Sequence, residues 1–176
     1  MNLRILKMMG VFLLLGASSA WADLPIWNGN GIYTFSDADP YFMEKGVYDS
    51  ATLNITGGEF GALYCFDHSI VDMSNGKATS GISTYNYSIL NLSGGSLGSL
   101  GATDYSQVHI FVLDHVVNTN SYLGYDQLTG HWGNENPFAM LISEVSWPNI
   151  TIHVIPEPFT VSLLSLGVLF LKKRRI

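Results

Sequence analysis

Four stretches of this chain, Ala51-Thr-Leu-Asn-Ile-Thr-Gly-Gly58, Ser69-Ile-Val-Asp-Met-Ser-Asn-Gly76, Ser88-Ile-Leu-Asn-Leu-Ser-Gly-Gly95 and Ser106-Gln-Val-His-Ile-Phe-Val-Leu113, lie under one another with a period of roughly 18 to 19 residues. Their apolar members, Leu53 and Ile55, Val71 and Met73, Leu90 and Leu92, Val108 and Ile110, alternate with polar ones. Such alternation marks a strand with one buried face. The likeness extends outward from this centre. Two residues before each stretch stand Asp49, Asp67, Asn86 and Asp104, and beyond the glycines come Phe60, Ala78 and Leu97. Further on lie Leu63 with Cys65, Ile82 with Thr84, and Leu100 with Ala102. Each repeat therefore supplies a strand, a glycine turn and a second strand. A unit this short cannot bury its apolar face alone, so successive units must stack in register, strand on strand about 4.8 Å apart. The expected fold is all-β, a short parallel β-solenoid. A right-handed β-helix is favoured by the handedness of parallel crossovers. Cys65 reads as a core filler. The middle coil has one extra residue between Ala78 and Ile82. That residue is assigned to a loop, because inside a strand it reverses which face is buried.

The flanks carry weaker patterns. Residues 23–48, with Ile32-Tyr-Thr-Phe35 as a strand, are expected to cap the first coil, and residues 49–117 to form the coils. In the C-terminal β segment, residues 118–155, the repeat register is lost. There Gly130-His-Trp-Gly-Asn-Glu-Asn-Pro-Phe138 reads as a turn between strands at Leu123 to Leu128 and Phe138 to Ile142. Asn149 to Ile155 reads as the last strand.

Charge is unevenly distributed. The chain of 176 residues has a formal net charge of −6, but from Asp23 through Glu157 fourteen acidic residues face only Lys45 and Lys77, about −12. Such a body repels nucleic acid and anionic headgroups and attracts cations or basic partners. The remaining cations sit at the two ends. Arg4 and Lys7 precede an apolar stretch from Met8 to Leu15 and the small-residue sequence Gly16-Ala-Ser-Ser-Ala20-Trp21-Ala22. This is the pattern of a secretory signal peptide over residues 1–22, cut after an Ala20-x-Ala22 site by signal peptidase.

At the other end, Pro156-Glu157-Pro158 is followed by a mainly apolar run from Phe159 to Leu171 and by Lys172-Lys173-Arg174-Arg175. Residues 156–176 thus resemble the PEP-CTERM sorting signal of exported bacterial proteins, with its three parts in order. The resemblance covers about the last 21 residues. It implies that an exosortase-type transpeptidase cuts at or near Pro156-Glu157-Pro158 and passes the body to the cell surface or extracellular matrix. The physics agrees with that role. Paired prolines make a stiff extended joint, the apolar helix holds it transiently at the membrane, and the basic cluster stays on the cytoplasmic side.

Several side chains invite a chemical reading of the body. Gly94-Gly95-Ser96-Leu97-Gly98 spells a nucleophile-elbow string, yet Gly95 falls in the repeat beside Gly58 and Gly76, so the match is assigned to the repeat. Asp67 with Asp72 or Asp104 could supply a glycosidase carboxylate pair. His68, His109, His115, His131 and His153 lack metal-ligand spacing. Asp49, Asp67 and Asp104 either cap their own turns or bridge a hard cation such as Ca²⁺, and turn capping is favoured. Asn54, Asp72, Asn91 and His109 form a second, outward ladder. Tyr64, Tyr85, Tyr87 and Tyr105 offer an aromatic stripe. The reading is an exported, surface-sorted structural or adhesive β-solenoid without catalysis and with no cofactor. The alternative is a small carbohydrate-active β-helix enzyme or glycan-binding module at the same location. Extracellular polysaccharide and other surface proteins are the expected partners.

Overall fold

The structure, a computed structural model, describes residues 26–156 apart from Leu123. The expected signal-peptide site at Ala20 and Ala22, the sorting residues Glu157 and Pro158, and the basic residues Lys172, Lys173, Arg174 and Arg175 lie outside the described residues. Among the described residues no helix is long and apolar enough to cross a membrane.

The chain winds as a parallel β-solenoid of about four turns. Its strands are β1 (Ile26–Trp27), β2 (Ile32–Phe35), β3 (Phe42–Val47), β4 (Thr52–Cys65), β5 (Ile70–Thr84), β6 (Ile89–Leu92), β7 (Ser96–Leu97), β8 (Ser99–Ala102), β9 (Gln107–Tyr122), β10 (Tyr125–Trp132), β11 (Pro137–Ser143) and β12 (Ile150–Val154). One face stacks β2, β4, β5, β6, β9 and β12 in parallel. A second face stacks β1, β3, the later parts of β4 and β5, then β8 and β11. At the strand centres the register agrees with the repeat alignment, with Leu53 opposite Val71, Val71 opposite Leu90, and Leu90 opposite Val108, and it slips by one where Thr56 pairs with Asn75.

This register piles like side chains on one another inside the coil. Leu53, Val71, Leu90 and Val108 are wholly buried, and so are Leu63, Cys65, Leu92, Ile110 and Ile142. Burial in this apolar stack pushes the Cys65 thiol far up from its ordinary pKa, so it remains a neutral filler at physiological pH. The first coil breaks the apolar pattern. Lys45 pairs with Leu63, an inward position, and its ammonium lies 4.3 Å from the Trp27 ring centre and 4.4 Å from that of Phe42. Partial burial lowers its pKa, and Asp39 opposes that shift. A cation at an inward position discourages another apolar layer from stacking there.

Two expectations need correction. The extra residue between Ala78 and Ile82 is not in a loop, because β5 is continuous and absorbs it as a bulge where Phe60 pairs with Ala78 and Ala62 with Gly81. Gly81 takes φ +138°, and a Cβ there would collide with the Ser99 carbonyl oxygen, so only glycine fits. The bulge returns Ile82 to the interior. The segment before residue 49 also does more than cover the stack, since β1, β2 and β3 are themselves rungs of it.

Beyond Ile110 the winding is interrupted. β9 runs on, β10 folds back antiparallel to it, and β11 returns antiparallel to β10 and parallel to β8. A 3-10 helix, Glu144–Asn149, then stands where earlier coils have a four-residue turn, and β12 resumes the first face.

Candidate functional site

The corner between the two faces is made four times, by Tyr48–Ala51, Phe66–Ser69, Tyr85–Ser88 and Thr103–Ser106. In each, the fourth residue's amide donates to the first residue's carbonyl, at 3.1–3.2 Å. The second residue, Asp49, Asp67, Asn86 or Asp104, takes φ of 58–60°. Aspartate and asparagine tolerate this left-handed region better than other residues with a Cβ, which explains their recurrence here.

The carboxylates do not cap their own turns, as the sequence suggested, but reach one coil back. The Asp49 carboxylate accepts from the Gly29 amide at 2.9 Å, Asp67 from the Asp49 amide at 3.3 Å, and Asp104 from the Asn86 amide at 3.2 Å. The Asn86 side-chain amide also donates to Asp67 at 3.2 Å. Each carboxylate thus ties one coil to the next. Asn86 separates Asp67 from Asp104, so Asp49, Asp67 and Asp104 form a column rather than a cage. Among the described residues no three His, Cys, Asp or Glu side chains gather in a metal-holding group.

Two aromatic columns flank this ridge. On one side Tyr48, Phe66 and Tyr85 stack with centroids 4.8 and 4.9 Å apart and planes within 11°. On the other, His68, Tyr87 and Tyr105 stack at 5.2 and 5.3 Å with planes 8° apart. These intervals follow the strand spacing, so each ring covers its neighbour's face. The tyrosine stripe consequently divides. Tyr64 and Tyr85 line a groove of about 410 Å³ with Glu44, Lys45, Gly46, Tyr48 and Phe66. Partial burial raises the Tyr64 pKa, and the nearby Glu44 and Tyr85 add to the shift. Tyr87 and Tyr105 lie on the other side, in a shallower groove of about 520 Å³ with Asp104, Gln107, His109, Asn149 and Thr151. Tyr105 ends its column and is 72% exposed.

The other candidates resolve individually. Ser96 lies in β7 opposite Lys77, and the glycine before it takes φ +93°, as Gly58 and Gly76 take +82° and +96°. The string is a coil turn and leads into no helix. Asp72 sits on the outer face, where it accepts from Asn91 at 2.7 Å, away from the turn that carries Asp67. His131 contacts the exposed Asp114 carboxylate at 2.9 Å, and that hydrogen bond holds the Asp114 pKa below its ordinary value. Sequence reasoning missed one pair altogether. His109 Nδ1 lies 3.1 Å from His153 Nε2. The available signal was the alternation Ile150-Thr-Ile-His-Val154, which aligns with Val108-His-Ile-Phe-Val112 once it is treated as a further rung. Compared with protein-family models, curated proteins and solved structures, the chain finds no match in any of the three.

Proposed function

We propose that this chain is an exported β-solenoid, carried out by its N-terminal signal and sorted to the cell surface or matrix through its C-terminal signal. There it acts by display and contact rather than by catalysis. The observation that carries the reading is the join. Among the described residues β12 is the last rung of the stack, and two residues after it comes Pro156, the first residue of the motif that resembles a PEP-CTERM signal. A processing enzyme of the exosortase type acting there would separate the tail from the solenoid just past β12 and attach or free the solenoid as one unit. The apolar run from Phe159 to Leu171 serves as the transient membrane hold, and the coils are right-handed in the sense that parallel crossovers favour.

The corner supports a mechanical role. Its carboxylates and most ring faces are engaged between coils, which suits an element that resists unwinding. Deleting residues 156–176 should move the protein from the cell-associated fraction to the medium or periplasm. C-terminal mass spectrometry of the mature protein should find Lys172 to Arg175 gone, and their retention would replace processing with a permanent anchor.

A glycan-binding reading retains one specific observation. Tyr105 is the end ring of its column, beside Asp104, Gln107 and Asn149, and an aromatic face with hydrogen-bonding neighbours suits one sugar ring. Glycan-array binding lost in Tyr105→Ala, with Tyr87→Ala less affected, would favour this reading.

A further inference from the structure

We propose that His109 and His153 form a two-imidazole chelating site for a divalent first-row transition ion, with Cu²⁺ bound more tightly than Zn²⁺. The site joins the last two rungs of the first face. His109 lies in β9 opposite Thr151 of β12, and His153 is two residues further along β12, opposite Phe111. Alternation along a strand puts all three side chains on the outer surface.

The separation of the nitrogens carries the proposal. His109 Nδ1 and His153 Nε2 are 3.1 Å apart, with ring centroids 5.3 Å apart and planes at 40°. Metal–imidazole bonds are about 2.0–2.1 Å, so two cis ligands stand roughly 2.9 Å apart at a right angle and about 3.4 Å apart at a tetrahedral angle. The observed distance falls inside that range. Without an ion, one nitrogen carries the proton shared between the rings. On binding, that proton moves to the other nitrogen of its own ring, and each ring turns so that its lone pair leaves the N···N line and points at the ion.

The rings are also held in place. His153 stacks on Phe111 at 4.7 Å with planes 13° apart, and both histidines are partly buried, which limits the freedom lost on binding. The acidic body raises the local cation concentration. Neutral imidazoles select copper, zinc or nickel over Ca²⁺ and Mg²⁺, which prefer oxygen cages. Two protein ligands leave the other coordination positions to water. The ion would clip β12, the rung nearest the sorting motif, to β9.

The test uses the full chain in detergent micelles. Titration with Cu²⁺ should show one saturable site, with two coupled imidazole nitrogens in the electron paramagnetic resonance spectrum. At about a hundredfold excess over Kd, Cu²⁺ should raise Tm by roughly 5–10 °C, and Ca²⁺ or Mg²⁺ at equal ionic strength should not. His109→Gln and His153→Gln should each lose the two-nitrogen signature and most of the shift. Circular dichroism would confirm that these variants are folded. A His131→Gln protein should bind as the parent does. Copper binding unchanged in the His109→Gln/His153→Gln protein, or lost instead in His131→Gln, would overturn the assignment. A spectrum with fewer than two imidazole nitrogens at saturation would also overturn it.

Discussion

Residues 51–110 and residues 112–138 form strands by opposite means. In the first region each rung meets a near copy of itself, Leu on Val on Leu, Asp on Asn on Asp, ring on ring. In the second, β10 is held between unlike strands, and two indoles fasten it. Trp132 is buried against Phe138, and its Nε1 donates to the Gly95 carbonyl at 2.8 Å. Trp147, from the 3-10 helix, donates to the buried Asp126 carboxylate at 2.6 Å. In the coils a small change recurs at every junction it touches, whereas the hairpin depends on a few large anchors. The outer stretch of β9, Asp114 to Thr119, is exposed throughout, so there the ribbon contributes little core. The repeat is thus held at many equivalent junctions, whereas the hairpin joins the same buried core through a few large side chains, Leu128, Trp132, Phe138 and Met140.

The strongest way to break that contrast is Leu90→Asp. Leu90 is wholly buried between Val71 and Val108, and an unpaired carboxylate there costs several kcal/mol, comparable with a domain's total stability. The expected outcome is loss of β-type circular dichroism, and an unchanged melting transition would refute inward stacking. Trp132→Ala should cost about 3–5 kcal/mol, but locally. Hydrogen exchange should show protection falling across β10 and the outer part of β9 while β4 and β5 stay protected. Equal loss in both regions would show that hairpin and coils are a single cooperative unit.

Three smaller changes, at two positions, sharpen the comparison within the coils. Asp67→Ala removes the acceptor for the Asp49 amide and places alanine at φ +58°, a combined cost of about 1–3 kcal/mol, read from denaturant midpoints. Asp67→Asn keeps an oxygen and tolerates that φ, so it should stay within about 0.5 kcal/mol of the parent. In both proteins Ca²⁺ and Mg²⁺ should shift Tm alike, and a calcium-selective rise lost in Asp67→Asn would make the column a cation site. A small effect of the opposite sign belongs to Ser69→Ala. Among the serines at this corner, Ser88 and Ser106 donate to the carbonyls of Tyr85 and Thr103, but the buried Ser69 hydroxyl has no partner. Alanine already occupies the position one coil earlier, at residue 51. The change should be neutral or stabilise by up to about 1 kcal/mol, and marked destabilisation would show that the hydroxyl is satisfied in solution.

Much of the architecture is legible in the amino-acid sequence alone, because a stacked coil obeys local rules. Period-two alternation chooses the buried face, and the repeat length sets which residue lies over which. A one-residue slip would turn Leu53, Val71, Leu90 or Val108 outward, and the recurring corner residues rule out a two-residue one. The corner aspartates were legible for the same reason, since a recurring polar residue at fixed phase marks a recurring backbone conformation. Three features depended on the tertiary structure. The direction in which the carboxylates reach, one coil back, is a contact across about 18 residues that no local pattern encodes. The bulge at Gly81 required knowing that the neighbouring Ser99 carbonyl leaves no room for a side chain. The meeting of His109 with His153, 44 residues apart, required the hairpin to close and β12 to land on β9. Repetition carries register along a chain, but an insertion resets the phase, and beyond it only packing decides which residues become neighbours.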